Sequence, residues 1–202
     1  MKKAAFLAIL LLFLSLTDAH AGQNRALEAL EVLRRGFADM TDFTAEIVQE
    51  KQIALMKQKM VSKGVVRFKK PGMFAMELYP PYASRLLLRD NVMTLRFPAE
   101  GVTERIVLPP EESLERWFAY LDKPVTALPD GVDARAERQG GTWTLQIFPR
   151  NKGGVKEVQL TFEGDGRLKR LAVLERNRDR TVIRFATMRR NVGLKESDFN
   201  GE

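Results

Sequence analysis

From Phe43 to Phe97, apolar side chains return at almost every second position. Successive side chains of an extended strand point to opposite faces, so a run of this period builds strands with one apolar and one wet face, and a helix does not satisfy it. Phe43, Ala45 and Ile47 alternate with Thr44 and Glu46, and the polar stretch from Gln49 to Lys63 completes a long hairpin with a loose turn. Val66 and Phe68 then alternate with Arg67 and Lys69; Phe74, Met76 and Leu78 follow the turn at Pro71 and Gly72. Arg85 to Arg89 and Val92 to Phe97 face each other across Asp90 and Asn91, a good hairpin turn. The alternation resumes with Trp143, Leu145 and Ile147, then Val158, Leu160 and Phe162, a turn at Gly164 to Gly166, and the pairs Leu171 with Val173 and Ile183 with Phe185. The spacing predicts a mainly antiparallel sheet in one domain, with no internal repeat and no linker.

Two stretches break the period of two. Leu27, Leu30, Leu33, Phe37 and Met40 recur at steps of three or four and predict an amphipathic helix that ends at Thr41 and Asp42. After Pro109 and Pro110, Leu114, Trp117, Phe118 and Leu121 show the same spacing, with Glu111 and Glu112 in the first turn, where a helix favours negative charge. A short helix between proline-rich segments in a strand series acts as a plug, as a lid, or as a packed connector.

The N-terminus reads Met1-Lys2-Lys3, an apolar run from Ala4 to Leu16, and a small-x-small ending at Ala19 to Ala21. That is the pattern of a secretory signal cleaved after Ala21, so residues 22–202 are expected to form the mature domain in the periplasm. No cysteine follows the apolar run to carry a lipid. The sequence contains no cysteine, and its one histidine, His20, lies in the expected signal. A mature chain without imidazole or thiol has no Cys/His zinc site, disulfide framework, thiol nucleophile or Ser-His-Asp triad. Glu77, Asp90, Glu104 and Asp165 fall at strand ends or turns with no spacing that implies shared acid-base work. Gly140-Gly141 and Gly153-Gly154 read as hairpin turns, without the helix and Lys of a phosphate loop. The expectation is a protein that is no enzyme and holds no metal or cofactor.

The formal net charge is +7. Its densest positive stretch is Arg176, Arg178, Arg180, Arg184, Arg189 and Arg190, with Phe185 the one aromatic nearby, too few for a nucleic-acid surface. These arginines are read as a solvated strand face, with docking to anionic lipid headgroups or an acidic partner as the alternative. One face of the sheet is expected to carry Phe43, Val66, Phe68, Phe74, Met76, Leu78, Met93, Leu95, Trp143, Leu145 and Phe162. On a strongly curved sheet these side chains fill a solid core or line a cavity for an acyl chain, and periodicity does not separate the two cases.

The run from Gly64 to Leu78, closed by Pro80, resembles the segment G-x-hydrophobic-x-hydrophobic-x-R/K-P of the LolA-like family of periplasmic outer-membrane lipoprotein carriers. Phe43 with Gln49, the segment from Leu86 to Phe97, the strand from Trp143 to Pro149, and Phe162 to Leu168 with its Asp-Gly turn resemble the same family in the same order. The resemblance implies an incomplete, highly curved antiparallel β-barrel, with an N-terminal helix and a short lid helix over an apolar cavity. It implies a monomer that takes lipoprotein acyl chains from an inner-membrane transporter and passes them to an outer-membrane acceptor. It also implies that Lys70, at the position of the family's cavity-facing Arg, is the charge that gates the lid; Lys keeps the charge without the planar fork. Asn91 stands where the first Asp-Gly turn usually has Gly, and the chain ends at Phe199 to Glu202 without a further F-x-P-x-G-like tail. A carrier or sensor for another lipid or glycolipid, and a structural β domain without ligand, remain open on the same residues.

Overall fold

The computed structural model describes residues 24–56, 59–108, 123–128, 130–150 and 153–200. The expected signal segment and the expected lid helix, with Leu114, Trp117, Phe118 and Leu121, lie outside the described residues. A helix over residues 24–38, here α1, leads into eleven strands. These are β1 Asp42–Gln52, β2 Lys59–Lys69, β3 Met73–Leu78, β4 Ser84–Arg89, β5 Val92–Phe97 and β6 Val102–Val107, then β7 Val132–Gln139, β8 Thr142–Pro149, β9 Val155–Glu163, β10 Leu168–Glu175 and β11 Arg180–Arg190.

Every neighbouring pair is antiparallel, and the order is β6-β5-β4-β3-β2-β1-β11-β10-β9-β8-β7. Two meanders are therefore sewn together where the first strand meets the last. The sheet stays open between β6 and β7, and the chain passes from one edge to the other through residues 108–131. This is the incomplete barrel expected. β6 and β7 themselves carry no clear alternation of apolar residues: they read Val-Thr-Glu-Arg-Ile-Val and Val-Asp-Ala-Arg-Ala-Glu-Arg-Gln. Charged side chains of both signs on an edge strand discourage pairing with another chain.

Curvature brings the two meanders onto one core. Leu78 of β3 and Ala134 and Ala136 of β7, far apart in the sheet order, share a hydrophobic cluster with Phe43, Phe68, Leu145 and Phe162. α1 lies in the hollow and buries Ala26, Ala29, Leu33 and Phe37, with Met40 buried just past its end, while Leu27 is only half-buried. The expected stripe is thus rotated slightly, because two alanines let the helix backbone approach the sheet. The helix is fastened at its far end by glycine: a Cβ on Gly36 would lie 2.6 Å from the Gly166 Cα in the β9–β10 turn. A helix of this length is marginal in water, so its stability comes from this packing.

The outer face has its own small core. Met73, Ala75, Leu87 and Leu194 close around Phe199, which is wholly buried in a 3-10 turn, Glu196–Phe199. The strap that carries it is held at its start by Asp42, itself 3% exposed, whose carboxylate accepts the N–H groups of Val192 (2.8 Å) and Gly193 (3.2 Å). Further along, Lys69 Nζ donates to the Leu194 carbonyl at 2.6 Å and Arg85 to the Phe199 carbonyl at 2.9 Å.

Phe199→Ala should lower unfolding free energy by about 3–5 kcal/mol, the range for emptying a fully buried aromatic site, read as a lower denaturant midpoint. Gly64 sits where β2 and β3 touch, and a Cβ there would fall 2.1 Å from the Glu77 carbonyl oxygen. Gly64→Ala is therefore expected to cost about 1–3 kcal/mol by overpacking, measured in the same titration.

Candidate functional site

The strand registers place all eleven apolar residues singled out in the sequence on the hollow face. One rung runs Phe43, Phe68, Phe74, Leu88, Met93, and the next runs Ala45, Val66, Met76, Leu86, Leu95. Leu78 lies opposite Gly64. On the other meander Trp143 faces Phe162 and Leu145 faces Leu160.

Burial divides this set. Phe43, Val66, Phe68, Leu78, Trp143, Leu145 and Phe162 are closed off within the cluster beneath α1. Phe37 meets Phe43 edge-on at 6.4 Å, and Phe43 lies 5.5 Å from Phe68, an aromatic seam between helix and sheet. Phe74, Met76, Met93 and Leu95 remain half-buried, and so do Leu86 and Leu88 beside them. Leu86 and Leu88 escaped the sequence reading because Leu86-Leu87-Leu88 is apolar throughout and shows no parity. Register decides it: Leu86 and Leu88 pair with Met76 and Phe74 and point inward, whereas Leu87 turns outward to Phe199. Ile183, Phe185 and Met188 of β11 extend the hollow face toward the other meander.

At the end of the barrel away from the α1 C-terminus, the hollow opens into a cavity of about 270 Å³ lined by Gln49, Met60, Ser62, Leu78, Tyr82 and Phe97 among others. Between β3 and β5 the face presents carbon and methionine sulfur, groups without directional contacts, whereas the cavity mouth adds the polar side chains of Gln49, Lys51, Ser62, Ser84 and Glu100.

Lys70 does a specific job. Its ammonium donates to the carbonyls of Phe37 (3.0 Å) and Ala38 (3.1 Å), closing the last turn of α1, where a cation is favoured. Its described partner is thus the N-terminal helix. The carboxylates considered in the sequence do not gather. Glu77 pairs with Arg67 at 3.5 Å, Asp165 accepts the Arg167 N–H at 2.9 Å inside its turn, Asp90 takes a left-handed backbone (φ 56°), and Glu104 sits on the edge strand β6.

Glu31 was not apparent as a site residue in the sequence. From α1 it binds Arg34 at 2.7 Å and Arg35 at 3.0 Å, and accepts the Val125 N–H at 3.2 Å. It thereby ties segment 123–128, whose Leu128 packs on the core, to the helix. The hydrogen bond from Arg34 is the main reason its carboxyl is held down at about 2, helped by Val125 and Arg35 against the opposing effect of burial.

Together, fold and site define a class: an open antiparallel barrel that offers an apolar interior. The sequence model of the outer membrane lipoprotein carrier protein LolA matches residues 38–201, and the chain belongs to that family. That family is one of carrier proteins, not of enzymes. Among solved structures, the chain is similar to a DUF1329 family protein from Desulfovibrio piger (14% identity, covering 90% of this chain and 97% of that one, TM-score 0.51). It is also similar to MucB (12%, 90% and 64%, TM-score 0.51) and to an outer membrane lipoprotein-sorting protein domain from Vibrio parahaemolyticus (15%, 90% and 97%, TM-score 0.48). The first two likenesses show the shared fold. Comparison with curated protein sequences found no match.

A carboxyl depressed on folding stabilises the native state above its ordinary pKa and loses that contribution as pH falls through its folded value. The contribution of Glu31 should therefore be complete above about 4.5 and fade toward about 2. Glu31→Gln should flatten that part of the stability-versus-pH curve, measured by thermal unfolding across the acid range; a curve parallel to the parent's would refute the assignment.

Proposed function

We infer that residues 22–202 form one periplasmic lipid-carrier domain behind a cleaved signal peptide, and that the protein carries the acyl chains of lipoproteins from the inner to the outer membrane. The observation that carries this reading is the half-buried wing of the hollow face, where Phe74, Met76, Leu86, Leu88, Met93 and Leu95 lie side by side without being sealed beneath α1. A sheet that served only as a scaffold would have little use for a contiguous half-covered apolar wing. Family membership supports lipoprotein as the cargo.

Each buried methylene is worth about 0.8 kcal/mol, so a long acyl chain cannot cross water unshielded. A face without strong polar contacts shields it and still releases it. In this reading the residues buried under α1, from Phe43 to Phe162, form the rigid floor, and the wing makes most of the contact. The segment with Leu114, Trp117, Phe118 and Leu121 is assigned to cover the wing, with Lys70 stabilising the neighbouring helix end. Loading from an inner-membrane lipoprotein-releasing transporter and delivery to an outer-membrane acceptor follow from the same cargo.

The purified protein should form a soluble one-to-one complex with a triacylated lipoprotein. Met93→Glu with Leu95→Glu places two charges on the wing while sparing the core, and should weaken that complex at least about tenfold, since a buried unpaired charge is strongly disfavoured. Native mass spectrometry reads both results. Undiminished binding by the double variant would sink the assignment of the wing, and a different co-purifying lipid mass would reassign the cargo.

A further inference from the structure

We propose that the barrel end formed by the β1–β2 and β10–β11 hairpin tips is a docking surface for an anionic lipid bilayer. The β1–β2 turn presents Leu55, 97% exposed, and Met56, 48% exposed, beyond the last ladder pair. A single exposed leucine is ordinary. Here it has company: Val61, Tyr79 and Tyr82 are also exposed and belong to the same end of the sheet. Tyrosine carries an apolar ring and a polar tip, which suits the boundary between headgroup and acyl chain.

The described start of the turn, through Met56, is hydrogen-bonded in place. The Ala54 N–H donates to Asp179 Oδ1 at 2.8 Å, which ties the apolar turn to the β10–β11 turn beside it. Met56 closes the turn with an N–H bond to the Ile53 carbonyl at 2.9 Å. Arg176 bonds through its backbone N–H to the Gly154 carbonyl and through Nε to the Gly153 carbonyl, adding the β8–β9 loop to the same rim. The described residues of three hairpin ends are thus joined at one rim.

Around the tip the charge is positive. Lys59, Arg176, Arg178 and Arg180 are exposed, and Lys51 is half-buried at the edge. Lys51, Lys59, Arg178 and Arg180 make no ion pair within 4 Å among the described residues. The acidic groups at this end are largely engaged: Asp179 accepts from Ala54 and Asn177, Glu50 pairs with Arg184, Glu157 accepts from Gln146, Glu175 closes the β10–β11 turn through its backbone, and Glu100 lies at the cavity mouth. An apolar tip ringed by cations matches a bilayer with anionic headgroups, where the charges attract and the tip inserts. An acidic protein would satisfy the cations and leave Leu55 without a role.

The cavity lined by Met60, Leu78, Tyr82 and Phe97 opens at this same end. Docking would set that mouth against the membrane, so that an apolar guest reaches the hollow face without entering water. This last consequence rests on the carrier reading above; the docking itself does not.

Flotation of the purified protein with vesicles of phosphatidylglycerol and phosphatidylethanolamine, against vesicles of phosphatidylcholine alone, tests the proposal. Binding should favour the anionic vesicles and fall with added salt. Each cation near an anionic surface is worth roughly fivefold in partitioning, so Arg178→Glu with Arg180→Glu should reduce binding by more than about tenfold. Leu55→Asp with Met56→Asp, at positions exposed enough to leave folding intact, should do the same while lipoprotein binding in solution stays at the parent level. Equal binding to both vesicle types, no binding to anionic vesicles at low salt, or full binding by the Leu55/Met56 variant would each overturn the proposal. Loss of cargo binding with vesicle binding intact would count against the carrier reading instead.

Discussion

An eleven-stranded antiparallel sheet with one apolar face cannot lie flat in water, and the rest of the molecule follows from how that face is hidden. Strand twist curls the sheet, and the pairing of β1 with β11 brings both meanders round one hollow. α1 fills the middle. Its two buried alanines and the contact of Gly36 with Gly166 allow close approach, and Lys70 holds its end by bonding the Phe37 and Ala38 carbonyls. Among the described residues, α1 covers the centre of the face, and the β4–β5 wing is half-buried. Core and candidate binding surface are therefore two zones of one continuous face, the first lying beneath α1.

The outer face meets the same constraint in miniature. The rungs there are mostly polar, but Met73, Ala75 and Leu87 break that rule and would be exposed without the C-terminal strap and Phe199. Asp42 makes the strap possible by accepting two backbone N–H groups where the chain leaves β11. Two buried Asp42 bonds on one side and the aromatic seam of Phe37, Phe43 and Phe68 on the other thus meet at the start of β1. That strand is central in the sheet and central in the packing.

Much of this was legible in the residues. The period of two from Phe43 to Phe97 placed five strands, and strand parity put Phe68, Met76 and Leu95 on a common face as the registers show. The motif order pointed to the family that the chain belongs to. The edge strands β6 and β7 were missed because an edge needs charge more than alternation. Leu86 and Leu88 were missed because a wholly apolar triplet carries no parity. The strap had no signal either, since Leu194 and Phe199 become core residues only when a distant strand lies beneath them.

By itself the sequence determined strand period, turn positions and which side chains share a face, because these depend on neighbours one or two residues apart. Tertiary structure alone decided which of those side chains are sealed and which stay half-open, because burial depends on what lies across the hollow. Phe68 and Leu95 have the same parity and much the same chemistry. The first lies under α1 at 2% exposure, the second lies beyond it, and no local pattern in the chain records that difference.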